Sequence, residues 1–573
     1  MFTVNEVLSD HYPNLYKRDL LNRSIQPVLR KLLREDDFTA FAGRYPHLRG
    51  MDFVEQVLEY FNFSYTVSDR DRENIPPSGR VVIIANHPIG SLDGLALLKL
   101  VHEVRSDVRI LANDLLMYIK PLRPCLLPVN NMDGQSSRDQ LRRISAALMQ
   151  EEAIIVFPAG EVSRLRPNGV KDGKWHKGFL GIAARTKSPI LPIHVSGKNS
   201  MSFYTASMLY RPISMVMLVN EMFKQQEKQI KFTVGSIIPY RAYRDLPLEN
   251  QEKVKLFKKH LYRLGKGAKP VFQTESAIAR PERRTDLKKE LQDAERLGKT
   301  PDGKLIYLYN TAESSPVMRE IGRLRETAFR AVDEGTGKRR DTDRFDSYYQ
   351  QLILWDENDL EIVGAYRFAD AAKVIQEQGM QGLYTDSLFD FSSNQSWFLE
   401  RGLELGRSFV QQRYWGKRSL DYLWYGIGAF LARNPEYRYL FGPVSISNSM
   451  PCTAKELLIF FYQLYFGVKE SAGCSKNPFV FTQSLESLSR EFSGTDYQED
   501  LKKLKNLLRN MGSNIPTLYK QYSSLCNPGG VRFLDFNVDP DFNNCVDGLV
   551  VVDIDQLTPK KRERYIESSF LDN

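Results

Sequence analysis

Cysteine is scarce in this chain: five residues, at 125, 452, 474, 526 and 545, stand far apart and without the spacing of a zinc site or redox pair. That scatter excludes a disulfide framework, and a reduced, intracellular setting is expected. Histidine is missing from the whole second half. All seven, at 11, 47, 87, 102, 176, 194 and 260, precede residue 261, so no imidazole base, His-containing triad or His metal site can lie beyond it. No stretch reaches 18 consecutive apolar residues, and the opening MFTVNEVLSDHYPNLYKRDL lacks the apolar core of a signal peptide, so neither a membrane span nor a leader is expected. Repeats of about 20 to 50 residues are not found, which removes duplication as the reason for the length. No basic run is interleaved with aromatics, and a nucleic-acid partner is not expected.

What is present is ordinary globular composition at more than ordinary length: 573 residues, 42% hydrophobic and 26% charged. That is enough for about two to four domains with real cores. Lys plus Arg number 79 against 70 for Asp plus Glu, a net +9, and such a field suits an anionic membrane surface, an acidic carrier protein or a nucleic acid. The segments ELLIFFYQLYFGV (456–468) and SMLYRPISMVMLV (207–219) are strongly apolar but short or interrupted. They fit buried helices or strands, and leave peripheral membrane association open.

The first 75 residues read as helices with polar breaks. RVVIIAN (80–86) then begins a series of short apolar runs, AIIVFPAGE (153–161), PILPIHVSG (189–197) and IKFTVGSIIPY (230–240), bounded by Gly or Pro like strands near the middle of a sheet. An α/β domain over 1–270 follows. Residues 265–300 are charged and weakly apolar, and the boundary is placed there. A second α/β domain, 276–573, opens with a strand at KLIYLYN (304–310) and a helix at PVMREIGRLRETAFRAV (316–332). It continues with a hairpin about Asp356, Glu357 and Asn358 and a strand at RYLFGPVSIS (438–447).

In ANHPIGSLDG (85–94), His87 and Asp93 stand where a strand passes into the apolar helix GLALLKLV. A carboxylate beside an imidazole makes a general base: Asp fixes the tautomer, and the ring takes a proton from a hydroxyl attacking an acyl carbonyl. Alone, a His at a helix start is more often a cap or a structural residue. Further blocks add weight: FPAGEVSR (157–164), WHKGFLGIAARTKSPILPIHV (175–195) and VGSIIPY (234–240). In order and spacing the four blocks resemble the glycerolipid (lysophospholipid) acyltransferase family over about 75–245. That resemblance implies His87 as base, Asp93 as its support, and Phe157, Pro158, Gly160, Glu161, Lys177 and Gly178 around the acceptor.

Two departures bear on the acceptor. Five residues separate His87 from Asp93 where family members have four, an excess that Pro88 and Gly90 can absorb, and the usual acidic position of the turn holds Ala159, with a carboxylate at Glu161 instead. The phosphate-bearing acceptor of the family is thereby put in question. Arg164 and Lys177, near the acceptor by the same geometry, suit a carboxylate head group.

Without histidine, the later half suits acyl transfer to an amine, which is its own nucleophile once neutral. EIGRLRETAFR (320–330) puts Arg323 and Arg330 on nearly one helical face with Glu326 between them, a pattern that exposed salt-laced helices also show. With EIVGAYRF (361–368), LYTDSLFDF (383–391), ELGRSFV (404–410) and FNVDPDFNNCVDGLVVVDI (536–554), the ordered set resembles acyl-carrier-dependent N-acyltransferases of GNAT-like mixed-sheet fold. The resemblance places Arg323, Arg330, Glu404, Arg407 and Ser408 near the cleft, with Glu404 as first choice of base and Asp386 as second. Asp341, Asp343 and Asp346 read as a polar turn paired with Lys338, Arg339 and Arg340, since the calcium-loop spacing is absent.

Joined, the halves resemble the bifunctional bacterial enzymes of ornithine-lipid synthesis. What this implies is N-acylation of ornithine by a 3-hydroxyacyl group, then O-acylation of the lyso-lipid hydroxyl, with acyl carrier protein thioesters as donors and neither metal nor nucleotide as cofactor. A cytoplasmic location, peripheral on the inner membrane, is expected. Alternatives are glycine, lysine or glutamine as the amino acid, a phosphatidic-acid-forming enzyme, and a non-catalytic membrane- or partner-binding scaffold.

Overall fold

Every residue of Val81–Ala85 is buried, which a strand permits only where both faces of its sheet are covered. The computed structural model places this strand at the centre of the first of two units, Met1–Ala279 and Arg280–Asn573. It describes Pro27 and residues 30–129, 138–167, 169–209, 211–311, 315–391, 397–468 and 474–567, so the helical reading up to residue 26 lies outside the described residues.

In chain order the strands of the first unit are β1 (Ser64–Thr66), β2 (Val81–Ala85), β3 (Val108–Ala112), β4 (Leu126–Pro128), β5 (Ala153–Val156), β6 (Arg164–Arg166), β7 (Gly169–Lys171), β8 (Ile190–Ser196) and β9 (Gln229–Val234). Seven form one sheet in the order β1-β9-β8-β2-β5-β3-β4, parallel except for the β8–β9 pair; β6 and β7 make a separate hairpin. Alternation along β2 divides its side chains between two cores. Val81, Ile83 and Ala85 meet Leu92, Ala96 and Leu100 of α1 (Leu92–His102). Val82 and Ile84 face the side covered by Phe179 and Leu180 of α3 (Gly178–Thr186) and by Phe257 and Leu261 of α4 (Asn250–Leu264), with α2 (Arg138–Met149) beside them. The functional blocks therefore sit at the C-terminal ends of β2 and β5, where an open parallel sheet leaves a crevice.

The second unit contains β10 (Glu295–Lys299), β11 (Leu305–Asn310), β12 (Gln350–Asp356), β13 (Glu361–Asp370), β14 (Phe389–Asp390), β15 (Gly402–Val410), β16 (Tyr439–Ile446), β17 (Cys474–Ser475), β18 (Val531–Asp539) and β19 (Cys545–Asp553). Its eight-stranded sheet, β10-β11-β12-β13-β15-β16-β19-β18, is antiparallel except between β15 and β16. The β12–β13 hairpin turns after Asp356, as the sequence predicts. One face carries α5 (Pro316–Arg330), through Val317, Ile321 and Leu324 on Ile353, Trp355 and Ile362. The other carries α6 (Ser419–Arg433) and α7 (Cys452–Phe466), so the apolar run at 456–468 is largely a buried helix. Among the described residues no helix is long and apolar enough to cross a membrane.

The join between β15 and β16 is narrow. Only Gly402–Glu404 pair with Tyr439–Phe441; beyond them β15 stays with β13 and β16 with β19. Just past the join, a Cβ on Gly442 would stand 1.9 Å from the carbonyl oxygen of Leu405. Gly442→Ala should therefore cost about 1–3 kcal/mol of stability through overpacking against backbone. Denaturant unfolding of the full chain reads this, and an unshifted transition would contradict so close an approach.

Candidate active site

The loop after β2 is anchored before it turns. The side chain of Asn86 donates to the Val195 carbonyl and accepts from the Val195 amide, both at 2.8 Å, which ties the end of β2 to β8. Gly90 then takes φ +88°, and a Cβ there would lie 2.2 Å from Val162. This glycine lets the longer loop fold back so that four amides converge on one carboxylate. Asp93, with no exposed side chain, accepts from the amides of Ile89 (2.9 Å), Gly90 (3.1 Å), Ser91 (3.1 Å) and Gly94 (3.0 Å), and stands 3.1 Å from His87 Nδ1.

Burial alone would raise the Asp93 carboxyl, but His87 and the converging amides hold it below the usual range. Burial likewise pushes His87 down, and the Asp93 charge more than offsets it, leaving the imidazole above its ordinary value. With Nδ1 directed at Asp93, Nε2 is the nitrogen free to accept a proton. The ring stacks on Phe157 at 4.0 Å between centroids and 21° between planes, so the first residue of the Phe-Pro turn positions the imidazole.

Asp172 escaped the sequence reading. It is buried and accepts from the His87 amide (3.3 Å), the Ser163 hydroxyl and Trp175 Nε1 (2.8 Å), while the Ser163 amide donates to the His87 carbonyl (2.8 Å). It thus straps the loop of His87 to the segment after β7. Burial raises its carboxyl.

His87, Phe157, Gly160 and Glu161 line a cavity of about 830 Å³ whose interior is apolar, with Leu95, Ile110, Leu122 and Leu126 among its walls. Arg164 is paired with Glu161 at 3.1 Å, and among the described residues the Arg and Lys side chains that line this cavity are instead Arg166 and Lys174, which sequence spacing did not single out. Pro158, Lys177 and Gly178 line a second cavity, of about 590 Å³.

In the second unit the predicted residues separate. Arg323 is held by Glu320 (2.6 Å) and Arg330 by Glu326 (2.6 Å), so the two arginines do not act as a pair across one face. Glu404 is buried and closed in: Tyr349 Oη donates to it, as do the amides of Thr385 (2.6 Å) and Tyr384 (3.3 Å). Burial raises its carboxyl. Asp386 is partly exposed, 3.8 Å from Lys476. The three aspartates turn inward and meet buried arginines rather than the Lys338–Arg340 run: Asp346 receives Arg325 (2.8 Å) and Arg367 (3.2 Å), and Asp341 and Asp343 each lie 3.6 Å from Arg407. These two arginines hold the Asp346 carboxyl well below its ordinary range, against the effect of burial.

Arg407 is the most constrained of the set. A bulge in β15 puts it at φ +49°, a left-handed conformation costly for a side chain with a Cβ, and with Ser408 it lies opposite Tyr366. Its guanidinium stacks on Phe542 (4.7 Å) and Tyr384 (5.0 Å). Beyond it, Asp547 is buried within electrostatic range of both Glu334 and Asp539, and burial raises all three, Glu334 to about 7.

Comparison with known proteins agrees with this division. The acyltransferase family matches residues 6–268, and the acetyltransferase (GNAT) domain matches residues 324–425. A glycine N(alpha)-acyltransferase of Bacteroides thetaiotaomicron is 33% identical over 304 residues, 51% of this chain and 90% of that protein. A lyso-glycine lipid O-acyltransferase of the same bacterium is 29% identical over 250 residues, 42% of this chain and 90% of that protein. An L-ornithine N(alpha)-acyltransferase of Brucella abortus is 32% identical over 141 residues, 23% of this chain and 46% of that protein.

Two outcomes are expected from this geometry. Selectively labelled His87 should titrate above its ordinary value by NMR, and in Asp93→Asn burial should carry it below that value; an unmoved midpoint would mean that the pair does not interact. Glu404→Ala, which strands the buried Thr385 amide and Tyr349 hydroxyl, should destabilise the chain by about 2–4 kcal/mol, while Asp386→Ala should leave the unfolding transition nearly unchanged. Equal losses would show that Glu404 is no anchor.

Proposed function

This chain is an acyltransferase and belongs to the acyltransferase family of those relatives, and from that premise we propose that it carries out two successive acyl transfers that build an amino-acid lipid. The second unit acylates the α-amine of ornithine with a 3-hydroxyacyl group from an acyl carrier protein thioester. The first unit then esterifies the hydroxyl of that product with a second acyl group. The observation that carries the reading is the His87–Asp93 pair, with His87 at the wall of a large apolar cavity, in a chain whose other unit matches an acetyltransferase (GNAT) domain.

In the O-acyl transfer, His87 Nε2 takes the hydroxyl proton as the oxygen attacks the thioester carbonyl. The imidazolium, stabilised by Asp93, returns that proton to the departing thiolate, so an ester and a free thiol result. In the N-acyl transfer the neutral amine attacks directly, and the second unit needs only to position it and polarise the carbonyl. Ornithine as the amino acid draws support from the similarity of this chain to an L-ornithine N(alpha)-acyltransferase. Glycine is the second reading, favoured by the names of the relatives. Work at the inner face of the membrane, where both products partition, is consistent with the +9 charge, as is an acidic carrier protein.

Expression in a host without aminolipids tests the reading, with labelled ornithine and glycine supplied in parallel. The diacylated aminolipid should appear and carry label from ornithine. Label from glycine alone would select the second reading, and an unchanged lipid profile despite folded protein would defeat both. His87→Ala should accumulate the mono-acylated lipid, with the second step slowed by about 10²–10⁴-fold.

A further inference from the structure

The second cavity of the first unit belongs to no step derived so far. It adjoins the cavity of His87: Leu111, Val129, Lys174 and His176 line both. Its depth is apolar, with Leu141, Ile144, Val156 and Ile182 on its walls, and its charged lining is Lys174, Lys177 and Arg185 against Glu249 among the described residues. An apolar pocket with an excess of cations over carboxylates suits a hydrocarbon tail attached to an anionic head.

One exposed edge of the cavity carries two glycines. Gly178 and Gly181, three residues apart on α3, both line the cavity. Neither has a left-handed backbone, and a Cβ on either would find no atom within 4 Å. Gly178 is the first residue of α3, but Gly181 lies inside it, where glycine costs about 1 kcal/mol relative to alanine, so Gly181 is not explained by the fold. It leaves unfilled the space beside Lys177 and Ile182.

We infer that the second cavity holds the hydrocarbon tail of the O-acyl acceptor, with the acceptor carboxylate at Lys174. This rests on the reading of the first unit as an O-acyltransferase. O-acylation of a hydroxyacyl lipid brings two chains to one reaction centre, and two adjoining apolar cavities give each its own compartment. The acceptor hydroxyl lies only a few bonds from its head-group carboxylate and from the start of its tail. A cation shared by both cavities is therefore the place from which that hydroxyl can reach His87, while the donor chain occupies the cavity that His87 itself lines. Lys177 and Gly178 then serve the acceptor tail side, away from the imidazole.

The test uses the full chain, purified, with two synthetic series: N-(3-hydroxyacyl) ornithine and glycine acceptors from octanoyl to octadecanoyl, and acyl thioester donors over the same range. Gly181→Ala, Gly181→Leu and Gly181→Phe fill the cavity in steps, and the open space around the missing Cβ lets each variant fold. The expected result is a graded shift toward shorter acceptors. For Gly181→Phe, kcat/KM should fall at least about tenfold on the longest acceptor, the worth of two methylenes left unburied, with the donor-length profile unchanged. Lys174→Gln should reduce the preference for carboxylate acceptors over their methyl esters. A shift in the donor profile instead would make the cavity the donor's, and unchanged profiles in folded variants would leave no chain there; either overturns the inference alone. If the unmodified chain acylates no acceptor of the series, the O-acyltransferase reading itself fails and takes the inference with it.

Discussion

A single buried carboxylate organises the first unit. Asp93 has no contact with solvent, and an isolated carboxylate so placed would be neutral or would unfold its surroundings. Three amides from a loop bent at Gly90, a fourth from the first turn of α1 and the His87 imidazole together keep it charged. The same contacts dictate the shape of the loop, the orientation of the ring and the nitrogen left to face the cavity. Phe157 completes the arrangement from a different strand end, so the two sequence blocks at the ends of β2 and β5 are parts of one device. The Phe-Pro turn thus matters for the imidazole as well as for any acceptor.

The second unit shows the opposite use of buried charge. Arg325 and Arg367 are nearly inaccessible, yet both are compensated by Asp346, with Asp343 also reaching Arg367. Removing either partner from such a pair leaves an uncompensated buried charge, which is why it resists piecemeal change. Glu404 belongs to the same structural tier through Tyr349, Tyr384 and Thr385. Arg407 differs: a strained backbone and aromatic faces on both sides fix its guanidinium without the short contacts that would satisfy it.

Much of the first unit was legible because its physics is local. Runs such as Val81–Ala85 and Ala153–Val156 are apolar without alternation, and only a strand buried on both faces has use for that pattern. His87 and Asp93 lie close enough in sequence for a strand-to-helix turn to bring them together. Asp172 was illegible because its partner is 85 residues away and reached through a backbone amide, which leaves no side-chain pattern. Arg325 and Arg367 were missed for a related reason: a charged residue in a periodic run reads as solvated, and only the fold supplies the aspartate that lets it be buried. Resemblance singles out Glu404 as a base, but the hydrogen bonds that enclose it come from residues 349, 384 and 385 and are invisible in its own segment. The separation of Arg164 from the His87 cavity likewise depends on the hairpin of β6 and β7, too short and polar to leave a periodic signal.

The pH dependence of O-acyl transfer to a hydroxyacyl amino acid tests the role of His87 most directly. Because neutral imidazole is the base and Asp93 raises its pKa, the rate should climb with pH along a limb centred above the ordinary histidine value. In Asp93→Asn the limb should move to lower pH while the plateau falls. A limb that stays in place in the variant, with an undiminished plateau, would contradict the claim that this imidazole, tuned by this carboxylate, draws the proton.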